Sequence, residues 1–192
     1  MGVMRFMNEY KKQDKKFLLN LARKSIEYFL EKRELLNIEN VNEKLKQKKG
    51  VFVTLEKNGM LRGCIGTIQP IDPLYIAVIK NAVSAAFYDP RFHPVEYNEM
   101  DDIGIEISIL TEPKKIIYKN VGELLRKIKI GKDGLIIKSG FKSATFLPQV
   151  WEKIPDKKLF LSELCLKANL PMDEWKKSKL EIFKYNVISF KE

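Results

Sequence analysis

The sequence predicts an α+β domain, a mainly antiparallel sheet with flanking helices, arranged as two lobes packed into one compact unit over residues 1–192. Three observations predict it. VFVTLEK and MLRGCIGT are separated only by Asn58-Gly59, a dipeptide that suits a type I′ turn because both central residues need φ > 0. Ile103, Ile105, Ile107 and Ile109 alternate with Gly104, Glu106 and Ser108, the clearest period of two in the chain. Helical stretches fall between hairpins rather than in strict β-α-β alternation, which favours antiparallel pairing.

From about Lys12 to Arg33, the apolar residues Phe17, Leu18, Leu21, Ala22, Phe29 and Leu30 recur at helical spacing and predict an amphipathic first helix. Asp72-Pro73 supplies an N-cap and an N1 proline for a second helix through LYIAVIKNAVSAAFY, which stops near Asp89-Pro90. A short helix is expected over Val121 to Lys127, followed by two β-rich runs turning at Ser139-Gly140. Pro148 begins a short helical piece with Trp151. A further helix runs from about Lys158 to Asn169, which tolerates the left-handed C′ conformation, and Pro171 prevents continuation. The final run, LEIFKYNVISF, reads as one strand.

Composition narrows the function classes. No stretch approaches the roughly 20 apolar residues of a membrane helix, and the first residues lack the apolar core of a signal peptide, so a cytoplasmic protein with no membrane partner is expected. Cys64 and Cys165 stand far apart, and with a single histidine neither a disulfide framework nor a metal site is indicated. Of the formal charge of +10, residues 1–50 contribute +6, from 13 basic and 7 acidic residues. Those signs are interleaved along a basic helical segment, with no recognition-helix pattern or aromatic strand, so the charge is read as a solvated face rather than a nucleic-acid surface.

Only six of the 35 basic residues are arginine: Arg5, Arg23, Arg33, Arg62, Arg91 and Arg126. In a chain whose default cation is lysine, arginine marks places where a planar fork is needed to grip a carboxylate or phosphate. Two of the six fall in the chemically unusual segments, Leu61 to Thr67 and Asp89 to His93. A period of two places Arg62, Cys64 and Gly66 on one face of the strand, with Leu61, Gly63, Ile65 and Thr67 on the other. Two glycines within four residues mark either a helix crossing closely or a ligand approaching the backbone. Cys64 is either a nucleophile activated by the neighbouring guanidinium or a small buried hydrophobe. Asp89 and Arg91 flank Pro90 as a structural clamp, or Arg91 converges with Arg62 on a bound anion. Cys165, in SELCLKA, is expected in the core, and His93 in a solvated loop.

LRGCIGT, followed in order by AAFYDPRF, ISILTEP, IGKDGLII, FLPQVWE and LCLKANLP, resembles the AMMECR domain family over nearly the whole chain, from about Leu18 to the C-terminus. The resemblance implies a two-lobed α+β domain without an established activity, with the LRGCIG strand near the junction of the lobes. It also implies association with a Memo-like protein and a radical SAM enzyme in an unassigned modification pathway. The family signature falls on Leu61, Arg62, Gly63, Cys64, Ile65 and Gly66, and its second block on Asp89, Pro90, Arg91 and Phe92. His93 stands where the family usually has proline, and Asn169 where it usually has glycine. Together these readings suggest a small anionic ligand bound by Arg62, Gly63, Gly66, Asp89 and Arg91, with Cys64 as catalytic thiol and no cofactor specified. The competing reading is a non-catalytic protein-interaction module, and a third is nucleic-acid binding.

Overall fold

In the computed structural model, which describes residues 9–177 and 180–192, the regular elements among those residues are α1 (Lys12–Lys32), β1 (Val51–Lys57), β2 (Met60–Thr67), α2 (Leu74–Phe87), β3 (Ile103–Leu110), β4 (Lys114–Lys115), α3 (Val121–Lys127), β5 (Gly134–Ser139), β6 (Lys142–Phe146), α4 (Lys157–Lys167), β7 (Glu181–Tyr185) and β8 (Val187–Lys191), with short 3-10 turns between some of them. The fold is α+β, with two antiparallel sheets in the orders β2-β1-β3-β8 and β4-β7-β5-β6. The chain forms two compact units, Met1–Leu110 with Ile188–Glu192, and Thr111–Val187. No helix among the described residues is long and apolar enough to cross a membrane.

In the first unit, alternation in β1 and β3 buries Val51, Val53 and Leu55 beside Ile105, Ile107 and Ile109. On this face lie α1, through Leu18, Ala22 and Ile26, and α2, through Leu74, Val78, Ala82 and Ala85. The inward stripe of α1 is Leu18, Leu19, Leu21, Ala22, Ser25 and Ile26, whereas Phe17, expected on that stripe, is 39% exposed. Asn58 and Gly59 take φ of 53° and 74°, as the predicted turn requires.

The start of α2 differs from expectation. Pro73, not Asp72, is the N-cap residue, and the Asp72 carboxylate instead accepts from Lys80 Nζ at 2.8 Å. The first free N–H of the helix, on Leu74, is met by the Gln47 carbonyl.

The second unit packs α3 and α4 on its own sheet around Leu124, Leu135, Ile137, Phe160, Leu164, Cys165 and Ile182. Trp151 stacks on Phe160 at 3.6 Å between centroids, and its indole N–H donates to the Asp133 carbonyl, so the buried ring keeps its polar atom satisfied. Asp156 caps α4 through the Leu159 N–H, and Asn169 takes φ 55° beyond its end. The second hairpin turns at Gly140 and Phe141, one residue later than predicted, with the positive φ on Gly140 at the first turn position. The final run is not one strand. Asn186 interrupts it, exchanging backbone and side-chain hydrogen bonds with Thr111, and its two halves, β7 and β8, join different sheets.

A Cβ on Gly63 would lie 2.1 Å from the Ala85 carbonyl oxygen of α2, whereas one on Gly59, despite φ +74°, would touch nothing within 4 Å. Gly63→Ala is therefore expected to cost about 3 kcal/mol through forced separation of strand and helix, against about 1 kcal/mol of backbone strain for Gly59→Ala. Urea unfolding of the two variants checks the order, and equal losses would show that the helix can give way at Ala85.

Candidate functional site

The LRGCIG strand lies at the edge of its sheet, bonded to β1 on one side only. Its register with β1 carries a bulge: Leu55 faces Gly63 while Glu56 faces Leu61, so Arg62 is the extra residue. A bulge twists a strand and re-aims the side chain it carries. The two-residue repeat therefore does not run back from Cys64 to Arg62, and Leu61, expected on the same face as the buried Gly63, is 44% exposed.

The side chain re-aimed by the bulge is fully engaged. Arg62 Nε donates to Glu99 Oε1 at 3.2 Å and Nη2 to Glu99 Oε2 at 2.9 Å, a bidentate grip. Its Nη1 donates to the carbonyl of His93 at 2.9 Å and Nη2 to that of Pro94 at 3.3 Å. The Arg62 side chain is only 14% exposed, and Lys57 Nζ reaches the same carboxylate at 2.9 Å. Glu99 in turn accepts the backbone N–H of Glu96, in a reciprocal capping arrangement at the 3-10 turn Tyr97–Asp102. The Arg62 hydrogen bonds, with Lys57 and the Glu96 N–H adding, hold the Glu99 carboxyl down at about 2, against the opposing effect of burial.

Asp89 and Arg91 close the open side of the same strand. Asp89 Oδ2 accepts the N–H of Cys64 at 2.8 Å, and Arg91 Nη2 donates to the carbonyl of Cys64 at 3.3 Å, so the turn supplies what a neighbouring strand would. The pair is itself bidentate, Arg91 Nε to Oδ1 at 2.9 Å and Nη2 to Oδ2 at 2.7 Å, and the Arg91 N–H adds a third donor to Asp89. Asp89 is 2% exposed and Arg91 53%. The Arg91 hydrogen bond, with help from the backbone N–H groups of Cys64 and Arg91, pushes the Asp89 carboxyl well below the usual range despite its burial, and Asp89 raises the Arg91 guanidinium in return.

Both glycines have protein neighbours. Gly63 admits the backbone of α2, and Gly66 lies under the ring of Phe52, whose Cγ would be 2.3 Å from an added Cβ. Cys64 is half-buried, and the Thr54 hydroxyl donates to its sulfur at 3.3 Å. Thr54 also faces Glu106 across β3, so thiol, hydroxyl and carboxylate form one row across three strands. Cys165 is buried, which pushes its thiol up. His93 is exposed and contributes its backbone carbonyl to Arg62.

The structure thus brings Arg62, Cys64, Asp89 and Arg91 to one strand, but the two guanidiniums grip separate carboxylates rather than a common space. Sequence reasoning did not assign Glu99 to Arg62 or Thr54 to Cys64. The spacing Glu96-x-x-Glu99 carried a capping signal for the first, and the outward phase of β1 a signal for the second. Among the described residues, no group of three or more His, Cys, Asp or Glu is placed to hold a metal ion.

An α+β fold whose LRGCIG edge strand is clamped by a DPR turn defines a class, and comparison with known proteins identifies it. The AMMECR1 family model matches residues 19–190, and the chain belongs to that family. It is 43% identical over 188 residues to Protein MK0488 of Methanopyrus kandleri, covering 94% of this chain and 89% of that one. To Protein NEQ441 of Nanoarchaeum equitans it is 45% identical over 177 residues, covering 91% and 98%. The crystal structure of the uncharacterized protein PH0010 from Pyrococcus horikoshii superimposes with a TM-score of 0.88 at 40% identity, covering 96% of this chain and 94% of that chain.

Because folding depresses both carboxyls, the stability they lend is complete above their unfolded values near pH 4 and is lost as pH falls through the folded ones. Unfolding free energy is thus expected to decline from about pH 4.5 toward pH 2, and Arg62→Ala should reduce the part due to Glu99, leaving what Lys57 and the Glu96 N–H supply. Urea titrations across this range test it. An identical pH slope in Arg62→Ala would mean that the ion pair contributes nothing.

Proposed function

We propose that this chain is a non-catalytic binding module of a cytoplasmic modification pathway, in which the LRGCIG strand and the DPR turn stabilise the fold rather than perform chemistry. The observation that carries this reading is the occupancy of Arg62: four of its five N–H groups are spent on Glu99 and on the carbonyls of His93 and Pro94. A guanidinium so committed has little left for an anionic ligand. On this reading the partners are proteins, and the Memo-like and radical SAM components implied by the family resemblance are the first to test. Arg62→Lys keeps the charge and loses the fork, so it should melt nearly as low as Arg62→Ala, each losing on the order of 3 kcal/mol. Added phosphate should shift all three proteins alike. Normal melting of both variants, with loss of a phosphate-induced shift, would instead favour an anion site at Arg62.

A second reading has its own observation. The half-buried Cys64 sulfur accepts from Thr54, and the Arg91 Nη1 nitrogen has no hydrogen-bond partner among the described residues. Reactive cysteines are found partly exposed in polar surroundings. If Cys64 is such a thiol, iodoacetamide at neutral pH should alkylate it much faster than buried Cys165 in the folded protein, as peptide mass mapping would show. Equal rates, limited by unfolding, would remove this reading.

A further inference from the structure

Arginine is this chain's exception, and in the structure each guanidinium can be asked what its fork grips. Arg23 takes Glu192 and the carbonyls of Met100 and Ile103, Arg62 takes Glu99, and Arg91 takes Asp89. Arg33 and Arg126 make no side-chain hydrogen bond or ion pair with any described residue, and of the two it is Arg33 that lies over aromatic rings, 5.9 Å from the Phe29 ring centroid and 6.0 Å from that of Phe87. Those two rings are themselves 4.8 Å apart. A cation over aromatic faces is held in place without using its hydrogen-bond donors. The residue sits at the end of α1 with φ 59°, a left-handed conformation that costs a non-glycine residue about 1 kcal/mol and that glycine or asparagine takes more readily. A positive charge at a helix C-terminus needs only lysine, the cation this chain uses by default.

Beside Arg33 is a concavity of about 600 Å³, lined by Leu30, Glu31, Arg33 and the segment from His93 to Tyr97. That volume falls within the range of roughly 300–1,000 Å³ common for small-molecule sites. One wall is held rigidly, because Arg62 ties down the carbonyls of His93 and Pro94. Leu30, Pro94 and Val95 give it an apolar part. Glu96 is tied to Glu99 through its backbone N–H, and its carboxylate joins Glu31, His93 and Tyr97 as a further polar group on the lining.

We infer that this concavity binds a small organic anion, a phosphate or carboxylate on a compact apolar body, with Arg33 as the anion-binding group. A hydroxyl or amino group on the same ligand would meet Glu31. The site is separate from the Cys64 strand, so it stands or falls independently of the non-catalytic reading.

The chain's single histidine lies on the lining, so its imidazole proton resonances report occupancy without ambiguity. Inorganic phosphate, phenyl phosphate and benzoate are titrated separately at constant ionic strength. The expected result is a saturable shift of the His93 signals, with one of the two aromatic anions half-saturating at least about tenfold below inorganic phosphate. Arg33→Lys should raise the half-saturation point about tenfold, and Arg33→Asn, which tolerates the left-handed conformation, should abolish saturation. Which aromatic anion saturates first tells phosphate from carboxylate. Shifts linear in concentration, equal response in Arg33→Asn, or no advantage of either aromatic anion over phosphate overturns the inference. If Arg33→Asn does not fold, an Arg33→Lys protein that titrates like the wild type overturns it alone.

Discussion

Asp89 is 2% exposed and carries a charge at the free edge of a sheet, and such a group is stable only when its oxygens are met by donors. The backbone N–H groups of Cys64 and Arg91 and the fork of Arg91 supply them. The same contacts satisfy the outward N–H and C=O of Cys64, which would otherwise offer a template for another strand. Pro90 keeps the turn compact by fixing φ between the two partners. The geometry of β2, the end of α2 and the start of the segment leading to β3 all depend on that short exchange.

Arg62 extends the exchange to the rest of that segment. The bulge at Arg62 takes its side chain out of the strand repeat, and the guanidinium then joins β2 to Glu99 and to two successive carbonyls. Lysine has the charge but not the planar set of donors for this arrangement. Together the two arginine–carboxylate pairs explain why a lysine-rich chain departs from its habit at these places. They also separate the positions: Arg62 and Arg91 serve the framework, while Arg33 remains with its fork unoccupied over two aromatic rings.

The glycines show how close two readings of one residue can be. A glycine in a strand signals that something approaches the backbone, and the sequence does not say what. At Gly63 the approaching group is the backbone of α2, and at Gly66 it is the ring of Phe52.

Much of the fold was legible from the order of residues because its causes are local. The alternation of Ile103 to Ile109, the Asn58-Gly59 turn and the left-handed cap at Asn169 depend on one or two neighbours and a fixed period. The errors share an opposite cause. Asp72 is not the cap: Pro73 takes that position, and the Asp72 carboxylate accepts from Lys80, eight residues on. The last eleven-residue apolar run was divided because Asn186 bonds to Thr111, and Arg62 left its expected face because β1 and β2 pair with a bulge. For the candidate site, the sequence alone determined which residues were unusual: a strand with two glycines, one thiol and one arginine, followed by Asp-Pro-Arg. Only tertiary structure decided what each one grips, because a carboxylate 37 residues away in Glu99, a hydroxyl on the next strand in Thr54 and a helix carbonyl at Ala85 are brought within contact distance by packing alone.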